Sequence, residues 1–400
     1  MAFDTDSRLW EYPPDWRHGF TVEYEYRTEI ITSRAGREQR RAIRQSPRKT
    51  LSFTAMVSSA SFRSLVRDMA SAQDKSFIVP DYVRSVLTVE PLANNGSSVA
   101  VETVPAWATT GATVVIGFAG AFDTFVIDAI SDNRLTFSTT AKRNWPSGSK
   151  LYPGLYARLD TTLRHRQRTS RAGELNVTFS VEPGSEPLPI PPEPSQLLNG
   201  RELFLKRPNW AQTVEVTFGT SRETLDYGYG TVIHTNPVPF NTRDEQFVFV
   251  GRSPSEAVQM LDFFDRMRGQ QGEFYMPTWT EDLSATAGIS PADPVLRVAD
   301  ARLADDYSGD TVHKAIAVVL SDGSILTRKV TDIYPDPFGM GSILEIAGGW
   351  DRTVPLSNIS MVCWLPVWRF ASDKLTVEWL TDAVTQFAVT IRTLEDLSGE

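Results

Sequence analysis

Four histidines, one cysteine and two acidic groupings are the residues of this 400-residue chain whose types suit chemistry, and their spacing supports none. His18, His165, His234 and His313 lie far apart with no i, i+4 pair, the arrangement a helix-borne metal site uses, so they read as loop or surface histidines. Asp305, Asp306 and Asp310 in ADDYSGD begin like a calcium loop but lack its twelve-residue spacing and closing Glu, so a solvated turn is expected. Glu281 and Asp282 follow Trp279 as a sugar-cleaving carboxylate beside an aromatic platform would. Glycoside hydrolysis, however, needs two carboxylates held at a defined separation. Cys363 sits in the apolar run MVCWL and reads as a buried, inert thiol. As the only cysteine it excludes an intramolecular disulfide and any Cys-rich zinc or iron-sulfur site. The chain has no G-x-S-x-G elbow, H-E-x-x-H helix, phosphate loop or G-x-G-x-x-G turn. The expectation is a protein without catalytic residues, bound metal or cofactor, and not an enzyme.

The elements that would position any site are repeated. Phe62, Leu65, Val66 and Met69 fall at i, i+3, i+4 and i+7, one face of an amphipathic helix, and are followed by Phe77-x-x-Pro80-x-Tyr82. Met260, Phe263, Phe264 and Met267 repeat the stripe, followed by Phe274-x-x-Pro277-x-Trp279. Helix stripe, trailing motif and flanking strands together indicate an internal duplication, and duplicated chains commonly build rotationally symmetric objects.

Strands flank each helix. Residues 20–26 and 50–57 alternate apolar and polar positions, with counterparts at 213–218 and 246–250. A small β-insert of about 70 to 90 residues then follows in each half. Its strands are expected at 114–117, 125–130 and 135–137 in the first copy and at 315–320, 325–333 and 343–346 in the second. Trp145 and Trp350 are the matching tryptophans. The runs 175–181 and 387–393 return to the main sheet. Six prolines in PGSEPLPIPPEP, 183–194, mark an extended spacer between the halves. The expected fold is mainly β, with two duplicated sandwich or partial-barrel units, each carrying one short helix and an inserted small barrel-like domain. The expected boundaries are 1–84 plus 158–182 for the first unit and 85–157 for its insert. A linker at 183–196 follows, then 197–283 plus 369–400 for the second unit and 284–368 for the second insert.

The net charge of −9 is unevenly spread. Residues 34–49 hold Arg34, Arg37, Arg40, Arg41, Arg44, Arg48 and Lys49 against the single Glu38, a local +6 that leaves −15 on the remainder. Arg164, Arg166, Arg168 and Arg171 form a second basic cluster. Two uses are expected equally: a simply solvated loop, or basic loops of one copy docking on acidic faces of another, because opposite potentials steer encounters. The run lacks the interleaved aromatics that stack nucleobases, so specific nucleic-acid binding is not expected. Trp10, Tyr12 and Trp16 in WEYPPDW precede the first strand and are further interface candidates. No apolar stretch reaches the ~20 residues of a membrane span, and the N-terminus lacks a basic and apolar signal region, so no membrane partner is expected and synthesis in a cytoplasm is.

The segment from Thr28 to Pro80 resembles the distal tail proteins, or baseplate adaptors, of long-tailed, siphovirus-like bacteriophages and gene-transfer particles. A Thr-x-Ile strand is matched by Thr28, Glu29 and Ile30. A glycine, an acidic residue and an arginine are matched by Gly36, Glu38 and Arg40, followed by Arg48, the helix around 62–69 and an F-x-x-x-D ending at Phe77 and Asp81. The match covers about fifty residues, and the duplication and the two inserts depart from the simple family plan. The resemblance implies tail-tube-like β units and a virion structural role at the distal end of the tail, in a ring joining the tail tube to hub, spike or fibres. The implied partners are the chain itself, as a pseudo-sixfold trimer or a hexamer, together with tail tube protein, baseplate hub, tail fibre or receptor-binding proteins and the tape measure protein. It also implies synthesis in a host bacterium. A receptor- or carbohydrate-binding β-protein of the tail tip is the competing expectation. It requires exposed tryptophan faces, whereas the adaptor requires Trp145 and Trp350 buried at equivalent positions.

Overall fold

Alternation dictates the central strands. In the computed structural model, residues 7–71, 76–160, 163–185, 193–194, 196–238, 240–307, 309–337 and 341–396 are described, and they are mainly β. The first unit runs β1 (Arg8–Leu9), β2 (Phe20–Glu25), β3 (Thr28–Thr32), β4 (Glu38–Ala42), β5 (Arg48–Ser58), α1 (Ser59–Ser71), β6 (Phe77–Pro80), β7 (Lys150–Leu159), β8 (Arg164–Gln167) and β9 (Ala172–Val181). The second runs β10 (Arg201–Leu203), β11 (Glu215–Gly219), β12 (Glu223–Leu225), β13 (Ile233–Thr235), β14 (Thr242–Gly251), α2 (Pro254–Met267), β15 (Phe274–Tyr275), β16 (Val367–Phe370), β17 (Lys374–Trp379) and β18 (Thr385–Leu394). On β5, Leu51, Phe53, Ala55 and Val57 are buried in turn, and on β14 Phe247 and Phe249 do the same, the period of two that places one strand face on a core. On α2, Met260, Leu261, Phe263, Phe264 and Met267 are all buried. The Ser253 hydroxyl caps its first turn by accepting from the Glu256 amide, with Pro254 at the first helical position.

The two units agree residue by residue. Val22 pairs with Leu51, and Val216 pairs with Glu245, each 194 positions later. Ile30 pairs with Arg40 in the first hairpin and Thr224 with His234 in the second, again 194 later. Gly36 and Gly230, at the two hairpin turns, both take positive φ, 84° and 79°, where a side chain would be strained. Asp15 donates its amide to Thr54, and Asn209 donates to Val248, both at 2.7 Å. Trp10 donates to Ile78 and Phe204 to Tyr275. Beyond the inserts the correspondence continues: Val177 faces Phe53 and Val389 faces Phe247. Strand n of the first unit thus corresponds to strand n+9 of the second.

The units lie side by side in one continuous antiparallel sheet, ordered β8·β9·β5·β2·β17·β18·β14·β11. A single apolar cluster runs through both, from Trp10 to Leu394. Each insert has its own core and the same strand order. In the first, Ser98–Ala100, Arg134–Phe137, Ala121–Ser131, Thr113–Phe118 and the start of β7 are neighbours; in the second, Val295–Val298, Ser342–Ile346, Ile325–Pro335, Ala315–Leu320 and Ile359–Trp364 are. Both long middle strands break register, between Ile127 and Ala129 and between Val330 and Asp332.

Three expectations change. The basic 34–49 segment is not an open loop, because β3 and β4 fold it into a hairpin. Val66, expected on the core face of its helix, is 48% exposed, while its counterpart Phe264 is 1% exposed. Trp145 and Trp350 are both buried, at 2% and 3%, but they are not counterparts: Leu92 bridges Trp145 where Ile289 bridges Val354, so Val354 is the match. The side chain of Met69 and most of the 183–196 linker lie outside the described residues.

Candidate functional site

The chemistry-bearing residues do not converge. His18 lies 3.8 Å from Asp15 and 3.5 Å from Glu174, and His165 stacks on Phe62 with ring centroids 3.8 Å apart. His234 Nδ1 is 3.1 Å from Thr224 Oγ1 on the β12–β13 hairpin, and His313 bonds Asp310 in the second insert. Asp282 accepts from Thr278, Thr280 and the Trp364 amide, so its carboxylate ties down the entry to that insert, and Glu281 is exposed. Cys363 is fully buried, and burial pushes its thiol up to about 12. Among the described residues there is no group of three or more His, Cys, Asp or Glu able to hold a metal ion.

What does converge is the junction between the units. β2 and β17 pair from Phe20 opposite Trp379 to Glu25 opposite Lys374, and Lys374 Nζ reaches Glu23 at 2.7 Å. Trp16 covers the end of this seam, 6.0 Å from Trp379 and 5.6 Å from Phe20. Tyr26 lies over α2, with its hydroxyl 3.1 Å from Asp265 Oδ1. Asp373 accepts from the Thr28 amide at 2.6 Å and from its hydroxyl at 2.8 Å.

The β3–β4 hairpin is clamped to the second unit by charge. Arg369, 3% exposed, donates to both oxygens of Glu38 at 2.7 and 2.8 Å in a bidentate pair. Arg40 bonds Glu273, Arg37 approaches Glu395 at 3.6 Å, and Arg34 pairs with Glu223 at 2.7 Å. Arg84 from the first unit also donates to Asp262 of α2 at 3.0 Å; burial raises the pKa of that carboxyl even so.

This geometry revises the interface candidates. Arg34, Arg37 and Arg40 spend their charge between units of one chain. Arg44 turns back to Glu25 at 3.2 Å, and Arg41 and Arg48 are exposed. Lys49 is buried, with Nζ 2.7 Å from Asp81 Oδ2, because its position on β5 points inward. Trp10 is a core residue at 0% exposure, wedged edge-on against Phe77 and Phe179. Tyr12 is half-buried and donates to Ser61 O at 3.0 Å. Of the WEYPPDW aromatics only Trp16 sits at a junction. Among the repeat-core residues Leu65, Phe77, Pro80, Met260, Phe263, Phe264, Met267, Phe274 and Pro277 are buried, and Phe62 is half-buried.

Sequence reasoning missed the second copy of this N-terminal arm. Pro14-Asp15-Trp16 recurs as Pro208-Asn209-Trp210, and that tripeptide was the available signal. Both side-chain oxygens accept from the amide two residues on, Arg17 and Ala211. Between the junction and the first insert lies a cleft of about 360 Å³, bordered by Trp16, Tyr82, Phe122, Tyr152 and Trp379. No protein-family model matches the chain, and no curated protein matches it.

Proposed function

We propose that the chain is a ring-forming structural adaptor of a phage tail tip, linking the tail tube to hub, spike or fibre proteins of the baseplate. The observation that carries the reading is the side-by-side placement of two matching units in one sheet, which is one step of a rotation that further copies can continue. A heterologous contact repeated in this way closes into a ring when its rotation divides a full turn. Three copies then present six similar units around a lumen, matching a sixfold tube to a threefold tip. The residues that carry the family resemblance support it. Thr28, Glu38 and Arg40 contact Asp373, Arg369 and Glu273 of the other unit, so three of the motif residues make contacts between units.

The inserts then serve as attachment modules for neighbouring tail-tip proteins. Buried Trp145 and Trp350 serve the insert cores rather than offering sugar platforms. The competing carbohydrate- or receptor-binding reading draws on the aromatic cleft beside Trp16, although Tyr82, Phe122, Tyr152 and Trp379 are each no more than 8% exposed there. Averaged electron micrographs of the purified chain, alone and with tail tube protein, test the proposal. Central-pored rings with threefold or pseudo-sixfold outline are expected. Monomers in both samples, together with glycan binding, would replace the adaptor with the recognition module.

A further inference from the structure

The sheet ends in two strands, β8 on one side and β11 on the other. Among the described residues β8 pairs only with β9, and β11 pairs only with β14. Their counterparts do not end there: β17, the match of β8, and β2, the match of β11, pair with each other at the junction of the units. The molecule therefore contains one worked example of the contact that its two free edges are shaped to make.

The side chains around the free edges follow the same logic. Tyr24 on β2 is 2% exposed opposite Leu375, whereas its counterpart Phe218 on β11 is 70% exposed. Trp16 is half-buried against Trp379, whereas its counterpart Trp210 is 56% exposed. Phe264 is buried under Tyr26, which belongs to the other unit, whereas Val66 on α1 is 48% exposed. The β12–β13 hairpin leaves Tyr227, Tyr229 and Ile233 at 61%, 83% and 51% exposure, while the matching β3–β4 hairpin is docked on α2's unit. At the Tyr24/Phe218, Trp16/Trp210 and Phe264/Val66 pairs the side chain is exposed where a further unit would lie and more covered where a unit is present, whereas Ile31 on the docked hairpin is itself 60% exposed. Unpaired strand edges flanked by such side chains are templates for strand addition.

We propose that β11 of one copy pairs antiparallel with β8 of a second copy of this chain, in the register of the β2·β17 junction. Transferring that register sets Val214 opposite Gln167, Glu215 opposite Arg166, Val216 opposite His165, Thr217 opposite Arg164 and Phe218 opposite Leu163. Glu215 meets Arg166 directly, an opposite-charge cross-strand pair of the kind that stabilises a sheet and rejects a slipped register. Arg166 of the basic cluster thereby gains an acidic partner, while Arg164 faces Thr217. The ion pairs of the docked hairpin are not repeated. Glu38 and Arg40 correspond to Val232 and His234, so the second junction is the more apolar of the two. The pairing stands on the internal junction; only the number of copies, three, rests on the ring reading above.

The test is a disulfide across the predicted pair in the full chain. Glu215→Cys and Arg166→Cys are both at exposed strand positions, and native Cys363 is buried and stays out of the reaction. Mild oxidation of the double variant should give covalent species that end at three copies, while either single variant stays uncross-linked. Moving one cysteine to Val216→Cys, with Arg166→Cys kept, should cut the yield at least about tenfold, because adjacent strand residues face opposite sides. Native mass measurement of the unmodified chain separates the two ideas. Three-copy particles without cross-linking would overturn this interface and leave the ring standing. Cross-linked ladders running past three copies would support the edge pairing and overturn the three-copy ring. Monomers without cross-links at high concentration would overturn both.

Discussion

Tyr26 of the first unit lies over Phe264 of the second, with ring centroids 5.8 Å apart, and this contact closes the helix face that α1 leaves open at Val66. Tyr26 is 4% exposed, so removing the ring opens a cavity in the shared core. Tyr26→Ala should cost about 3 to 5 kcal/mol, the range for deleting a buried aromatic side chain. Tyr26→Phe should cost only about 1 kcal/mol, the value of the hydrogen bond to Asp265. Urea denaturation of both variants measures the difference. Equal losses would mean that packing on α2 is not what holds the units together.

Among the described residues Lys49 and Asp81 form the most enclosed ion pair of the first unit, with side chains 1% and 2% exposed. Asp81 Oδ1 also takes the Val83 amide at 3.2 Å, and the Lys49 ammonium lies 5.3 Å from the centre of the Tyr24 ring. Breaking such a pair strands one charge in a dry site and costs about 3 to 5 kcal/mol. Lys49→Met and Asp81→Asn should each lose stability in that range, and the double variant should lose less than the two together. A double-mutant cycle by chemical denaturation reads the coupling. Additive losses would place the cost elsewhere.

Much of the architecture was legible because burial on one face leaves a period in the sequence. The alternation of β5 and β14 and the stripe on α2 gave strands, helix and duplication together, and the insert strands fell close to where short β-branched runs lie between turns. Burial assignments failed where position outranked residue type. Lys49 reads as surface, yet strand parity turns it inward to meet Asp81. Trp10 reads as an anchor ahead of the fold, yet its amide joins Ile78 and its ring fills the core. Val66 failed for a different reason: its helix face is apolar as expected, but it stays 48% exposed among the described residues. The candidate interface was only half legible, because pairing register decides that the basic hairpin serves the neighbouring unit of the same chain.

Two ion pairs of the β3–β4 hairpin should behave very differently. Arg369 is buried and pairs bidentately with the half-buried Glu38, side chains 4% and 10% exposed, whereas Arg34 and Glu223 are 76% and 52% exposed. Glu38→Gln should therefore destabilise by about 3 kcal/mol or more through the uncompensated Arg369 charge. Arg34→Ala should change stability by less than about 1 kcal/mol. Thermal unfolding at low and moderate salt distinguishes them, because only the exposed pair is open to screening. A large loss for Arg34→Ala would show that the hairpin tip, and not its base, anchors the second unit.

Glu245 occupies on β14 the position that Leu51 holds on β5, and burial raises its carboxyl from the ordinary value to about 7 despite the adjacent Arg243. The folded protein then keeps a proton on Glu245 between about pH 4.5 and 7 that the unfolded chain releases. Because the folded state binds more protons in that window, stability falls as pH rises through it. A displacement of this size corresponds to a loss of about 3 kcal/mol, complete above the folded value. Glu245→Gln keeps the shape and removes the titration, so its stability should be flat across the window and should exceed that of the unmodified chain at pH 8. Denaturation midpoints at pH 5, 6, 7 and 8 make the comparison. An unmodified chain as stable at pH 8 as at pH 5, relative to the Gln variant, would mean that Arg243 compensates the buried carboxylate fully and that the proton is not retained.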